Sequence, residues 1–374
     1  MQNLVIYRKY RPQKFSELVG QEHVVRTLQG ALKADRVPHA YIFTGPRGTG
    51  KTSVARIFAK ALNCQKKGVE PCNECQSCIE ITESRSLDLI EIDAASNRGI
   101  DDIRELREGI KFAPMHGKYK VYIVDEFHML TKEAFNALLK TLEEPPKHAI
   151  FVLATTEIAK VPDTILSRAL RFDFRLLGRE EIVGELERIL KKEGMSVQAE
   201  ALGEIARSAA GSLRDAETLL EQLFLIGKKN VSYEEAKDIL GFADLHLTLE
   251  LAEKILQGKS ADALAYFIEA YEKGEDVELM LGMLCEWVRK LLLWKLDEKL
   301  GPLIARDLSP DHKEVLKRHA GLASLQALAK MQSLLMDKDV ELKRTSFPQL
   351  VFELAIVEMG ELLKQNETRN IKSV

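Results

Sequence analysis

The first half of the chain alternates two hydrophobic patterns. Short, nearly continuous apolar runs at Ala40–Thr44, Leu87–Asp93, Val121–Asp125, Ile150–Thr155 and, more briefly, Arg171–Phe174 predict strands buried on both faces. Between them, Lys51–Leu62, Asp101–Phe112, Lys132–Glu143 and Asp163–Ala169 have helix composition. Strands separated by helices imply a parallel sheet covered on both sides. The stretch 63–85 breaks this rhythm. It is too long for an ordinary connection, and it predicts a small inserted module.

After Leu177-Gly178 the strand-like runs stop. Residues 179–242 read as three or four short amphipathic helices with turn signals at Gly194, Gly211 and Gly227. From 243 onward Gly and Pro become rare, and apolar spacings such as Leu291, Leu292, Trp294 and Leu300 suit buried helices. Three domains are therefore expected: an α/β domain over 1–178, a small helical domain over 179–242 and an all-helical domain over 243–374. A length of 374 residues suits that number.

Composition narrows the class. With 45% hydrophobic and 30% charged residues, wholesale disorder is excluded. No run approaches the roughly 18 apolar residues of a membrane helix, and the N-terminus lacks a secretory apolar region, so a cytoplasmic protein without membrane attachment is expected. The net charge of −3 speaks against nucleic acid at first sight. Its distribution does not: residues 1–178 carry +5 and residues 179–374 carry −8.

Three motifs carry chemistry. Gly45-Pro46-Arg47-Gly48-Thr49-Gly50-Lys51-Thr52 fits G-x-x-x-x-G-K-[ST], directly after a predicted strand and before a predicted helix. Glycines there let consecutive backbone N–H groups face phosphates at a helix N-terminus. Lys51 is placed to reach the β- and γ-phosphates and the Thr52 hydroxyl to ligate Mg²⁺. Second, Asp125-Glu126 ends a buried strand; Asp125 can hold Mg²⁺ and Glu126 can polarise an attacking water, which favours hydrolysis over binding alone. Third, Cys64, Cys72, Cys75 and Cys78 supply four thiolates, the set of a closed structural zinc site. An iron–sulfur cluster and metal-free cysteines are the competing readings. His128, beside the acidic pair, is assigned no chemistry, and Cys285, Trp287 and Trp294 read as core.

With these motifs, further segments match one family in order: Tyr7-Arg8-Lys9-Tyr10-Arg11-Pro12, Val19-Gly20-Gln21-Glu22-His23, Asp93-Ala94-Ala95-Ser96-Asn97, the run from Leu139 to Pro146, Ile165-Leu166-Ser167-Arg168 and the run from Gly211 to Ala216. The chain resembles the ATPases of the AAA+ superfamily and, within it, the gamma/tau family of bacterial DNA polymerase III clamp-loader subunits. The resemblance is dense over about 1–240 and looser beyond. It implies an AAA+ P-loop parallel sheet with a zinc-binding insertion, a helical lid and an all-α oligomerisation collar.

It further implies that Tyr10, Arg11, Pro12 and Val19 line an adenine pocket and that Ser53 joins the phosphate loop. Thr155 would sense the γ-phosphate, Arg214 would reach the phosphates from the lid, and Arg168 would enter a neighbouring subunit's site. Arg98 and Arg104 would touch DNA phosphates without sequence preference. ATP, Mg²⁺ and structural Zn²⁺ are the implied cofactors. Implied partners are other loader subunits in a ring-like hetero-oligomer, the sliding clamp, primed DNA and, through a tail beyond this sequence, the polymerase core and helicase. A different AAA+ motor, such as a helicase or branch-migration ATPase, is one alternative, and the cysteine insertion is the feature that discriminates it. A non-hydrolysing subunit and a zinc-dependent nucleic-acid module are the remaining alternatives. Two positions depart from the family pattern: Ala169 stands where it has Cys, and Phe127 where it has Val.

Overall fold

A computed structural model describes residues 5–66, 68–241, 245–305, 308 and 310–371, with side chains to 364. The chain forms two compact units, Met1–Leu240 and Gly241–Val374. The expected boundary at 242/243 falls outside the described residues.

In the first unit, β1 (Ala40–Thr44), β2 (Leu89–Asp93), β3 (Lys120–Asp125), β4 (Ala149–Thr155) and β5 (Leu170–Asp173) form one sheet in the order β2-β3-β4-β1-β5. Every pairing is parallel. β1 and β4 are buried along their whole length, as their continuous apolar runs require. β2 begins two residues later than expected. Leu87 is exposed, and the buried carboxylate of Asp88 leaves the strand pattern to accept from the backbone N–H groups of Met115, His116 and Gly117 at 2.6, 2.8 and 2.7 Å.

The helices flanking this sheet are α1 (Glu22–Lys33), α2 (Lys51–Asn63), α3 (Gln76–Thr82), α4 (Ile100–Ile110) and α5 (Lys132–Glu143). The helix expected over 163–169 is one turn, Asp163–Leu166, because Leu170 already pairs with β1 as part of β5. Registers Thr44↔Thr155, Thr44↔Asp173 and Asp93↔Asp125 align the carboxyl ends of the strands. With β1 inserted between β4 and β5, the chain reverses its strand order there, which is where open α/β sheets hold ligands.

Four lid helices follow: α6 (Arg179–Glu193), α7 (Ala199–Ser208), α8 (Leu213–Phe224) and α9 (Tyr233–Leu240). Strand structure does not cease at Gly178, contrary to expectation. Ser196–Val197 and Asn230–Val231 make a two-residue parallel ladder, too short to leave a period in the sequence.

The second unit is helical: α10 (Leu245–Leu256), α11 (Ser260–Glu272), α12 (Val277–Leu296), α13 (Pro310–Leu322), α14 (Leu325–Leu342) and α15 (Pro348–Ile371), with short helical turns at Glu298–Leu300 and Gly301–Ile304. Its core includes Phe267 edge-on to Phe352 and buried Trp287, whose indole N–H donates to His319 Nδ1 at 3.2 Å. Cys285 accepts from the Gln332 amide at 3.0 Å. Among the described residues, no helix is long and apolar enough to cross a membrane.

Candidate nucleotide and metal sites

The turn after β1 is shaped by its glycines. Gly45, Gly48 and Gly50 have φ of +148°, +76° and +96°, and Gly50 is the N-cap of α2. The space around two of them is closed as well. A Cβ on Gly45 would lie 2.3 Å from the Phe174 carbonyl, and one on Gly48 would lie 1.9 Å from Ser212 Oγ in the lid. The Gly45 N–H donates to the Thr155 carbonyl at 3.2 Å, tying the loop to the end of β4.

Lys51 is nearly buried, and its ammonium donates to the carbonyls of Gly45 and Pro46 at 2.7 and 2.8 Å. Burial pulls its pKa down, opposed by the carboxylates of Glu126 and Asp125. The Thr52 hydroxyl donates to Asp125 Oδ2 at 2.8 Å. Two residues far apart in sequence thus share one point below the loop, where a hydroxyl and a carboxylate oxygen suit Mg²⁺.

Glu126 sits in the left-handed region at φ +46°. Its carboxylate accepts from the Thr156 hydroxyl at 3.1 Å and lies 3.4 Å from His128 Nδ1. That same nitrogen is 3.0 Å from Thr155 Oγ1, and His128 Nε2 is 3.4 Å from Glu157. His128 is therefore a junction between Thr155 and Glu126, a role its position in sequence did not signal. Thr155 is fully buried and does not line the cleft; its hydroxyl is turned to the imidazole. Phe127, the departure from the family pattern, is buried edge-on against Phe135 and leaves both acidic side chains at the cleft.

A cleft of about 410 Å³ runs from the phosphate loop to the lid. Arg47, the segment 48–53, Asp125 and Glu126 line one part of it. Arg11, Pro12 and Val19 from the N-terminal segment line it too, with Leu177 and, from the lid, Leu213 and Arg214. Tyr10 does not. Its hydroxyl donates to Glu193 at 2.6 Å, and Tyr7 takes the place at the cleft, with the Arg214 guanidinium 4.8 Å from its ring centroid. Pro46 is also outside the lining and serves through its carbonyl.

Arg168 lies outside the cleft, paired with Glu143 at 2.7 Å and bonded to the Thr164 carbonyl. Arg98 and Arg104 are exposed around the start of α4, Arg104 paired with Asp101 at 2.9 Å.

The four cysteines converge: all Sγ atoms lie within 4.8 Å of one another, and none forms a disulfide. Tetrahedral zinc with Zn–S of about 2.3 Å needs sulfurs about 3.8 Å apart, and the Cys72–Cys78 pair stands at 4.0 Å. The backbone supports a thiolate at Cys72, whereas burial pushes the Cys64 and Cys78 thiols up. Cys64 accepts from Cys72 N–H at 3.4 Å, and Cys72 from Glu74 and Cys75 N–H at 3.5 and 3.3 Å. Burial opposes ionisation of Cys72, but these donors bring its thiol down to about 6. The donor set and spacing fit Zn²⁺.

Comparison with known proteins agrees with this geometry. Residues 20–177 match the DNA polymerase III delta-subunit model, 181–229 the clamp-loader ATPase lid domain, and 231–370 domain III of DNA polymerase III gamma and tau. The tau subunit of Bacillus subtilis is 43% identical over 96% of this chain, and that of Escherichia coli 46% identical over 74%. The chain belongs to the gamma/tau family of DNA polymerase III subunits. It spans 64% and 43% of the length of those two relatives. Among solved structures, the Thermotoga maritima RuvB Holliday junction branch migration motor is 18% identical, with a TM-score of 0.47 over 66% of this chain and 80% of that one, a likeness too low to carry weight.

Proposed function

We propose that this member of the gamma/tau family is an ATP-hydrolysing motor subunit of a replicative clamp loader. The Thr52–Asp125 contact carries this reading. It joins the phosphate loop to the acidic strand end in one cleft with Lys51 and Glu126. Bound Mg²⁺ would neutralise charge that develops on the phosphates. Thr52 and Asp125 would hold that ion, and Lys51 would leave the Gly45 and Pro46 carbonyls for the β- and γ-phosphates. Glu126, steered by Thr156 and His128, would orient and polarise the attacking water.

Arg214 would exchange the Tyr7 ring for the phosphates, so that nucleotide occupancy sets the lid's position. Arg168, leaving Glu143, would supply the always-charged guanidinium that completes a neighbouring subunit's site. Thr155 would act on the γ-phosphate indirectly, through His128.

ATP binding would organise an arc of subunits that opens the sliding clamp on primed DNA, and hydrolysis would release it. Arg98 and Arg104 are the proposed phosphate contacts of the DNA channel. Zinc would hold the inserted module folded, with no open position for catalysis. The helical second unit would serve as the collar, and the polymerase core and helicase would dock on a tail outside this sequence. A cytoplasmic location fits these partners. The test is ATP binding and turnover in the reconstituted loader. Lys51→Ala should abolish both at this subunit, and unchanged binding would overturn the reading.

A further inference from the structure

The N-terminal segment that reaches the cleft is fixed at both ends. Tyr7, Arg11, Pro12, Glu17, Leu18 and Val19 line the cleft. Apart from single helical turns at Ile6–Lys9 and Phe15–Glu17, the segment 5–21 has no regular structure of its own. At the lid end, the Ile6 N–H donates to Glu221 Oε2 at 3.3 Å. The Lys9 ammonium and the Tyr10 hydroxyl both donate to Glu193 Oε1, at 2.5 and 2.6 Å.

At the other end the anchor is the cysteine module. Glu70, two residues before Cys72, turns its carboxylate onto the first two N–H groups of the Phe15–Glu17 turn. Its Oε2 accepts from Phe15 at 2.9 Å and its Oε1 from Ser16 at 3.1 Å. The turn's own N-cap residue, Lys14, supplies no side-chain acceptor, so Glu70 satisfies donors that have no partner within the turn. The Gln29 amide of α1 donates to the same Oε1 at 3.1 Å and holds the carboxylate in place. Beside it, Lys60 of α2 is 1% exposed and divides its ammonium between Gln13 Oε1 at 2.6 Å and Asn73 Oδ1 at 2.8 Å. Asn73 stands between Cys72 and Cys75 in the left-handed region, at φ +60°.

Resting on the ATP reading above, we propose that Glu70 is a positioning residue for the nucleotide cleft, anchoring the N-terminal segment to the cysteine module so that the folded module sets the affinity for ATP. Glu70 is not itself at the cleft. Glu70 and Asn73 both lie in the stretch spanned by the four thiols, which no disulfide closes, so their placement depends on ligation. A segment without regular structure must be ordered before it packs on a nucleoside. The affinity measured is reduced by the fraction of molecules in which it is out of place. Pro12, Leu18 and Val19 offer apolar surface that a nucleoside can use and a bare triphosphate cannot. The phosphate loop, Lys51 and Thr52 hold a triphosphate either way. Loss of the anchor therefore falls on the nucleoside's share of the binding.

The experiment measures dissociation constants of Mg·ATP and Mg·tripolyphosphate on the full chain purified with zinc, with melting temperatures as a folding control. Glu70→Ala should weaken ATP about tenfold, the order lost with one charge-assisted hydrogen bond, while tripolyphosphate stays within about twofold. Glu70→Gln keeps one acceptor oxygen and should fall between the wild type and Glu70→Ala. Glu74→Ala removes another acid of the module, exposed and paired with Lys66, and should change neither affinity. Cys78→Ser should weaken ATP at least as much as Glu70→Ala, and combining the two should cost no more than Cys78→Ser alone. Wild-type ATP affinity in Glu70→Ala, an equal loss of tripolyphosphate, or full additivity with Cys78→Ser overturns the inference while leaving ATP binding standing. If ATP does not bind the wild type, or binds Lys51→Ala equally well, the ATPase reading fails and this inference falls with it.

Discussion

Gly48→Ala tests whether lid and phosphate loop form one site. An added Cβ would lie 1.9 Å from Ser212 Oγ, 2.9 Å from Ser212 Cβ and 3.4 Å from Arg214 Cβ. At φ +76° an alanine also carries left-handed strain of about 1–2 kcal/mol. Ser212 cannot yield freely: it is the N-cap of α8, its hydroxyl accepting from Asp215 N–H at 3.3 Å, an interaction of about 1 kcal/mol. Overpacking adds about 1–3 kcal/mol, and because these terms overlap the expected loss is about 2–4 kcal/mol. In a unit this size that lowers the melting temperature by roughly 5–10 °C. The assay is a double-mutant cycle by thermal unfolding, with ATP binding measured alongside. Adding Ser212→Gly removes the obstructing side chain and should recover the steric part, leaving about 1–2 kcal/mol of backbone strain. A Gly48→Ala melting temperature within a degree of the wild type, or no recovery in the double mutant, would refute the packing of loop against lid.

Three other outcomes follow from the same structure. Cys78→Ser, or a strong chelator, should release about one zinc per chain and expose the module to proteolysis near residues 63–85, with metal analysis and limited digestion as readouts; a preparation holding iron or no metal would contradict the site. Arg168→Ala should retain ATP affinity while turnover in the reconstituted loader collapses by about 10³-fold or more, and unchanged turnover would sink the trans role. Glu217 binds its proton more tightly in the fold, at about 7 against an ordinary 4.5, so the native state holds more protons between those values and stability should fall as pH rises from about 4.5 to 7. At 1.36 kcal/mol per unit the penalty reaches about 3 kcal/mol. Glu217→Gln should therefore stabilise the protein at pH 8 and give no gain at pH 4.5, read by chemical denaturation at both.

The parallel sheet and phosphate loop were legible because buried strands and a glycine turn each impose a local pattern, and β1, β3 and β4 were placed within a residue. Cys64, Cys72, Cys75 and Cys78 were legible for the same reason: metal geometry constrains spacing along the chain. What pattern could not reveal was pairwise packing. Tyr7 and Tyr10 are equivalent by composition, and only Glu193 claiming the Tyr10 hydroxyl decides which faces the cleft. His128 gains its role from Thr155, distant in sequence, and Glu217 looks like any surface acid of an amphipathic helix until the cleft closes over it. The short Ser196–Val197 and Asn230–Val231 pair has no period to detect.

The central claim is that one cleft both holds ATP and cleaves it with Glu126. The most direct test is Glu126→Gln in the reconstituted loader with clamp and primed DNA, measuring ATP affinity and turnover in the same preparation. The account predicts affinity within about threefold of the wild type, since Lys51, Thr52 and Asp125 are untouched, and turnover reduced by about 10²-fold or more for loss of the general base. Wild-type turnover in Glu126→Gln, or loss of binding along with it, would contradict it.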